Sequence, residues 1–149
     1  MSALDSGLTP LQKEARQKVF DTAVEQIYRQ GGPAYDVDSC MYRSPDGRKC
    51  NFGAVIPDAV YAPHFEKKCA DDAALGDVLA HLALGPGDRT FVYFLQRAHD
   101  DPVEKHGVEH YERNMRGFSI QHQLSTATLE RCAAEYNARQ LAEPLPSSA

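Results

Sequence analysis

Leu11, Ala15, Val19, Ala23, Val24, Ile27 and Tyr28 recur at spacings of three and four residues and draw one apolar stripe down a helix. Thr9, Pro10 and Gln12 precede it as N-cap, N1 and N3, an arrangement in which the two polar side chains satisfy orphan backbone donors of the first turn. Gly31, Gly32 and Pro33 end the stripe, so the pattern predicts a helix over 10–30. Past Tyr35 the period shortens. Short runs flank Ser44-Pro45-Asp46-Gly47, where Pro presets a type I turn and Gly accepts the left-handed position that follows, which predicts a β-hairpin. If the loop closes with a Gly bulge, Ser44 opposes Arg48, Arg43 opposes Lys49, Tyr42 opposes Cys50 and Cys40 opposes Phe52. Alternation then puts Cys40, Tyr42, Cys50 and Phe52 on a core face and Met41, Arg43, Lys49 and Asn51 on a polar one.

Gly53 to Tyr61 reads as a short helical or turn segment broken by Pro57, and Pro63 makes the following stretch irregular. Asp71 or Asp72 caps a helix that turns Leu75, Val78, Leu79 and Leu82 inward and stops at Gly85-Pro86-Gly87. Asp88 or Thr90 opens the next, with Phe91, Phe94, Leu95 and Ala98 on one side, ending near Asp100. Asp101-Pro102 restarts a weaker helix through Tyr111 and Met115, and a last one from Thr126 buries Leu129, Cys132, Ala133 and Tyr136. The expected fold is a small, mostly helical α+β domain over 9–140, about five helices packed around one β-hairpin, with a lead at 1–8 and a disordered tail at 141–149.

Composition narrows the class of function. With 149 residues, 42% of them hydrophobic, the chain fits one domain able to bury a sufficient core without metal or disulfide staples. The formal charge is −5, from 21 acidic and 16 basic residues, with no basic surplus to hold phosphates, which argues against generic nucleic-acid binding. No apolar run reaches the roughly 20 residues of a membrane span, and the first residues lack a signal-peptide pattern, so a cytoplasmic location without membrane contact is expected. In that compartment Cys40, Cys50, Cys69 and Cys132 are expected as reduced thiols.

Cys40-x-Tyr42-Arg43, Gly47-x-Lys49-Cys50, Gly53 and Ile56-Pro57-Asp58-x-x-Tyr61, followed by Leu95-Gln96-x-x-His99-Asp100, form a pattern that resembles a family of small uncharacterised proteins of tailed phages and prophages. The chain departs from it at Asn51-Phe52, where Ala with a small aliphatic is usual, and around Cys69, which lacks a Glu-Gly pair. The resemblance implies a phage accessory protein in the host cytoplasm and carries no catalytic roles. Its expected partner is a host or phage protein, with the chain acting as an inhibitor or modulator of a host enzyme or defence system.

Several residues carry candidate chemistry. Arg43 opposite Lys49 places like charges across a hairpin, which needs compensation. Asp58 or Asp100 can supply it internally, or the pair can hold an external anion, whether a small molecule or an acidic partner surface. Cys50, His99 and Asp100 offer the residue types of a nucleophile, a base and an orienter, the basis of an alternative reading as a cysteine- and histidine-dependent enzyme acting on an anionic small molecule. Adjacent residues on a helix point about 100° apart, so Asp100 is poorly placed to orient His99. His106-Gly107-Val108-Glu109-His110 has a His-x-x-Glu-His spacing, but Gly107 weakens the helix it needs and no third ligand follows. Cys40 and Cys50 fall on diagonal positions about 7–8 Å apart, long for a disulfide. No metal and no cofactor is expected, and His64, His81 and His122 have no partner that the sequence identifies.

Overall fold

A computed structural model describes residues 7–33, 42–44, 47–68, 72–100 and 107–142. It contains six α-helices, α1 (Pro10–Arg29), α2 (Asn51–Val55), α3 (Gly76–His81), α4 (Arg89–Asp100), α5 (Val108–His122) and α6 (Ala127–Ala142), joined in part by 3-10 turns at Pro63–Lys67, Ala73–Leu75 and Pro86–Asp88. The start of α1 is the capping box read from the sequence: the Gln12 amide N–H donates to Thr9 Oγ1 at 3.1 Å and the Thr9 N–H to Gln12 Oε1 at 2.8 Å. Its buried face holds Ala15, Val19, Phe20, Ala23, Val24, Ile27 and Tyr28 together with Arg16, whereas Leu11 stays 77% exposed.

The expected α+β class and its β-hairpin are overturned, because no strand exists among the described residues and the fold is all-α. What remains of the pairing is one isolated antiparallel bridge between Arg43 and Lys49, closed by Ser44 N–H on Arg48 O and Gly47 N–H on Ser44 O, each 2.9 Å. Gly47 takes φ +87°, the left-handed turn position foreseen for it. The second arm ends almost at once: Cys50 is the N-cap of α2, so Phe52 lies on a helix and cannot oppose Cys40 across a ladder. Cys40 and Met41 lie outside the described residues, as do Cys69, the helix start expected at Asp101-Pro102, His106, residues 1–6 of the expected lead and 143–149 of the expected tail, whereas Leu141 and Ala142, expected in that tail, close α6. A side-chain amide takes the place of a neighbouring strand. Gln30, at the end of α1, accepts from Lys49 N–H at 2.9 Å and donates to Lys49 O at 2.7 Å, tying the turn to α1.

Contacts between α1 and α6 climb together along both helices, Gln17 with Ser125, Glu25 with Arg131 and Tyr28 with Tyr136, so the two run parallel. Those between α4 and α5 descend, Ala98 with Asn114 and Phe91 with Phe118, so that pair is antiparallel. Short α2 fills the space between α1 and α4 and delivers Phe52 and Val55 to a core that also holds Phe20, Phe91, Leu95, Met115 and Leu129. Phe20 and Phe118 stack in parallel at 6.1 Å across it.

Candidate functional site

Arg43 is engaged inside the molecule. Its guanidinium lies 2.7 Å from the Asp58 carboxylate, donates to Ile56 O at 2.9 Å and sits 4.2 Å above the Tyr61 ring. Glu66 accepts the Tyr42 N–H at 2.8 Å, the Arg43 N–H at 3.2 Å and the Tyr61 hydroxyl, so two carboxylates offset the like charges of the bridge. Burial and the bond to Glu66 push the Tyr61 phenol up to about 12, which keeps it a donor at neutral pH. Lys49 contributes only its backbone to the bonds with Gln30, and Asp100 is described through its backbone alone, at the end of α4.

Cys50 and His99 are brought into one interior region by α2 and α4, where both are closed off, 0% and 2% exposed. Asn51, the first residue of α2, is expected on a polar face yet fully buried: Tyr111 O–H donates to its Oδ1 at 2.7 Å, and its Nδ2 donates to Leu95 O at 2.8 Å and Met115 Sδ at 3.3 Å. The Tyr111 ring meets His99 edge-on at 6.4 Å, and burial raises its phenol well above the usual range. This cluster pins α2 to α4 and α5, and neither Cys50 nor His99 lines a surface cleft described below. A nucleophilic thiol needs an accessible, electropositive setting, and Cys50 has an enclosed one.

Of the His-x-x-Glu-His spacing, His106 lies outside the described residues, Gly107 is the N-cap of α5, and Glu109 and His110 follow in its first turn. Among the described residues no group of three His, Cys, Asp or Glu side chains converges as a metal site requires.

Sequence reasoning missed a buried ionic pair. Arg16 Nε and Nη2 each lie 2.7 Å from Asp88 Oδ1, the guanidinium rests 4.7 Å over the Phe91 ring, and Asp88 Oδ2 accepts the Gly85 N–H at 2.9 Å. Beside it His122 is wedged against Phe118 at 4.3 Å and Phe91 at 5.3 Å, with neither ring nitrogen hydrogen-bonded. The available signal was positional: Arg16 lies four residues before Phe20, on the buried side of α1.

Burial, helped by the Arg16 charge, lowers the His122 imidazole to about 4 from 6.5. The unfolded chain therefore binds a proton that the folded chain refuses, so stability falls as the pH drops from about 6.5 and levels off below about 4, by about 3 kcal/mol in total from this residue. Urea denaturation at stepped pH should show that loss. His122→Leu should remove most of it and cost little at pH 7, since the imidazole nitrogens make no hydrogen bond that leucine would forfeit. An unchanged acid slope in His122→Leu would assign the loss to other groups.

Two clefts mark the surface around α1. One, of about 500 Å³, runs along its first half, floored by Ala15, Val19, Val55 and Leu82, with Leu11 at one end and Glu14, Lys18 and Thr22 on the rim. The other, of about 420 Å³, opens between the C-terminal half of α1 and the middle of α6 and is lined by charged side chains around Tyr28 and Cys132. Both volumes fall in the range of small-ligand pockets. Among the described residues no helix is long and apolar enough to cross a membrane. Comparison of the chain with protein families, curated proteins and solved structures finds no match.

Proposed function

We propose that this chain is a small accessory protein that acts by binding another protein, a host or phage protein in the lineage its sequence resembles, and that it works in the host cytoplasm as an inhibitor or modulator. The observation that carries this reading is the apolar-floored groove of about 500 Å³ along α1, with Leu11 77% exposed at its end. An amphipathic helix normally turns such a residue inward; left outside beside a groove, it offers a partner an apolar anchor ringed by Glu14 and Lys18. The enclosure of Cys50 and His99 weighs against the alternative of a cysteine- and histidine-dependent enzyme.

A photo-crosslinking amino acid placed at Thr22 on the rim, with one at Arg113 on α5 as control, identifies the partner in host cells. The purified pair is then measured by calorimetry. Leu11→Asp should weaken binding about thirtyfold, corresponding to the burial of one leucine, while leaving the unfolding midpoint in place. Equal affinity of Leu11→Asp and the parent for the purified partner would remove the groove from the interaction.

A further inference from the structure

We infer that a second copy of this chain occupies the groove along the first half of α1, the two α1 helices lying antiparallel about a two-fold axis, so that the protein masks its own partner surface when it is concentrated. This rests on the reading of the groove as a protein-binding surface and adds a regulation of it.

The order of charges along α1 selects the occupant. Leu11, Glu14, Ala15, Lys18, Val19 and Thr22 line the groove at spacings of three and four residues and form one stripe. At the helical rise it runs roughly 17 Å. A two-fold axis through the middle of the stripe, with the helices antiparallel, sets Leu11 of one copy near Thr22 of the other and brings Glu14 to Lys18 twice, once on each side of the axis. Parallel helices would instead set Glu14 against Glu14 and Lys18 against Lys18, where like charges repel. With one glutamate and one lysine on the α1 side, net charge favours neither an acidic nor a basic partner. A helix that carries the same two charges in reverse order complements it, and α1 read backwards is such a helix.

Both side chains are exposed and available. On the other helices a glutamate and an arginine four residues apart close on each other, Glu112 with Arg116 at 2.9 Å and Glu135 with Arg131 at 3.6 Å. Glu14 and Lys18 have the same spacing, yet among the described residues neither stands in an ion pair. Leu11 is the apolar counterpart. It is 77% exposed, and the groove offers it a floor of Ala15, Val19, Val55 and Leu82. The small Ala15 near the axis lets the two backbones approach, and the pairing buries both exposed leucines at once. A single helix crossing lies at the small end of specific interfaces, so the dimer is weak, with a Kd on the order of 100 µM.

The test is sedimentation equilibrium of the full chain from about 10 µM to about 1 mM, a range that brackets such a Kd, with ¹H–¹⁵N correlation spectra at both ends. The expected result is a monomer–dimer equilibrium, with concentration-dependent shifts on residues 11–22 and 81–83. Glu14→Lys and Lys18→Glu each put two like-charged pairs across the axis and should weaken the dimer about tenfold. The two variants mixed in equal amounts should associate at least as well as the parent, because every lysine then faces a glutamate; a variant that had lost its fold would not be rescued this way. Leu11→Asp should weaken the dimer about a hundredfold or more, since the two-fold axis doubles the loss. A chain monomeric at the highest concentration, charge reversals that dimerise like the parent, or reversals that mixing fails to restore would overturn the inference. The protein-binding reading is tested separately on the captured partner. A monomeric chain whose partner affinity still falls with Leu11→Asp removes the second copy alone, and a dimer whose partner binds Leu11→Asp as well as the parent removes that reading alone.

Discussion

Replacing Gly53 with alanine is expected to destabilise the protein by about 3 kcal/mol or more, although the residue lies in a helix where alanine is ordinarily the better choice. A Cβ at position 53 would stand 1.8 Å from Tyr42 O, 2.6 Å from Tyr42 C and 2.8 Å from its Cα. All three are backbone atoms, so no side-chain rotation relieves the overlap, and either α2 or the segment at Tyr42 must move. Neither is free to do so. Tyr42 is buried, its N–H is held by Glu66 at 2.8 Å, its hydroxyl donates to Lys68 O, and its ring packs edge-on against Phe52 at 5.7 Å. On the other side Phe52 N–H donates to Gln96 Oε1 at 2.9 Å and Asn51 is locked into the core. The control is Gly117→Ala in the middle of α5, where a new Cβ meets nothing within 4 Å and a gain of about 1 kcal/mol is expected. Chemical denaturation of the two variants should therefore shift in opposite directions. A Gly53→Ala protein as stable as the parent would show that the α2–Tyr42 approach is looser than described.

The same contact explains where the sequence could and could not be read. The capping box at Thr9 and Gln12 and the stripe down α1 are local patterns: every partner lies within one turn, and spacing alone reveals them. The turn after Ser44 was legible for the same reason, since Gly47 takes a left-handed position that a turn offers wherever it sits, and the opposition of Arg43 to Lys49 follows from it. What failed was the extension of that turn into a hairpin. The alternation through Cys50 and Phe52 was too short to distinguish strand from helix, and α2 has too few residues to display a helical period. Asn51 shows the consequence. Alternation puts it with Lys49 on a polar face, but its partners are Leu95, Tyr111 and Met115, each at least 44 positions away, and no window along the chain contains them. Of the candidate sites, Arg43 with Asp58 came from residues close in sequence, whereas the α1–α6 cleft, built from the two ends of the chain, had no local signature.

Arg16→Met is the other substitution expected to have a large effect, a loss of about 3–5 kcal/mol at pH 7. The pair it breaks is separated by 72 positions and almost fully enclosed, with two of the three guanidinium nitrogens, Nε and Nη2, directed at a single Asp88 oxygen. Methionine keeps much of the stem packing over Phe91 but leaves the carboxylate with Gly85 N–H alone, and an uncompensated buried charge is what makes half of such a pair so costly. Asp88→Asn in the Arg16→Met background should recover much of the loss, because the amide keeps an acceptor for Gly85 without the charge; a double-mutant cycle measures the recovery as a coupling energy. His122 gives an independent reading of the same site. Desolvation is the larger cause of its lowered pKa and the Arg16 charge the smaller, so Arg16→Met should narrow the acid window between about 6.5 and 4 from its lower edge without abolishing it. His122→Leu, in contrast, should remove most of the window while leaving the ionic pair intact. If Arg16→Met is destabilised by less than about 1 kcal/mol, the carboxylate must be reaching water or another donor, and the pair is then a surface contact in energetic terms despite its burial.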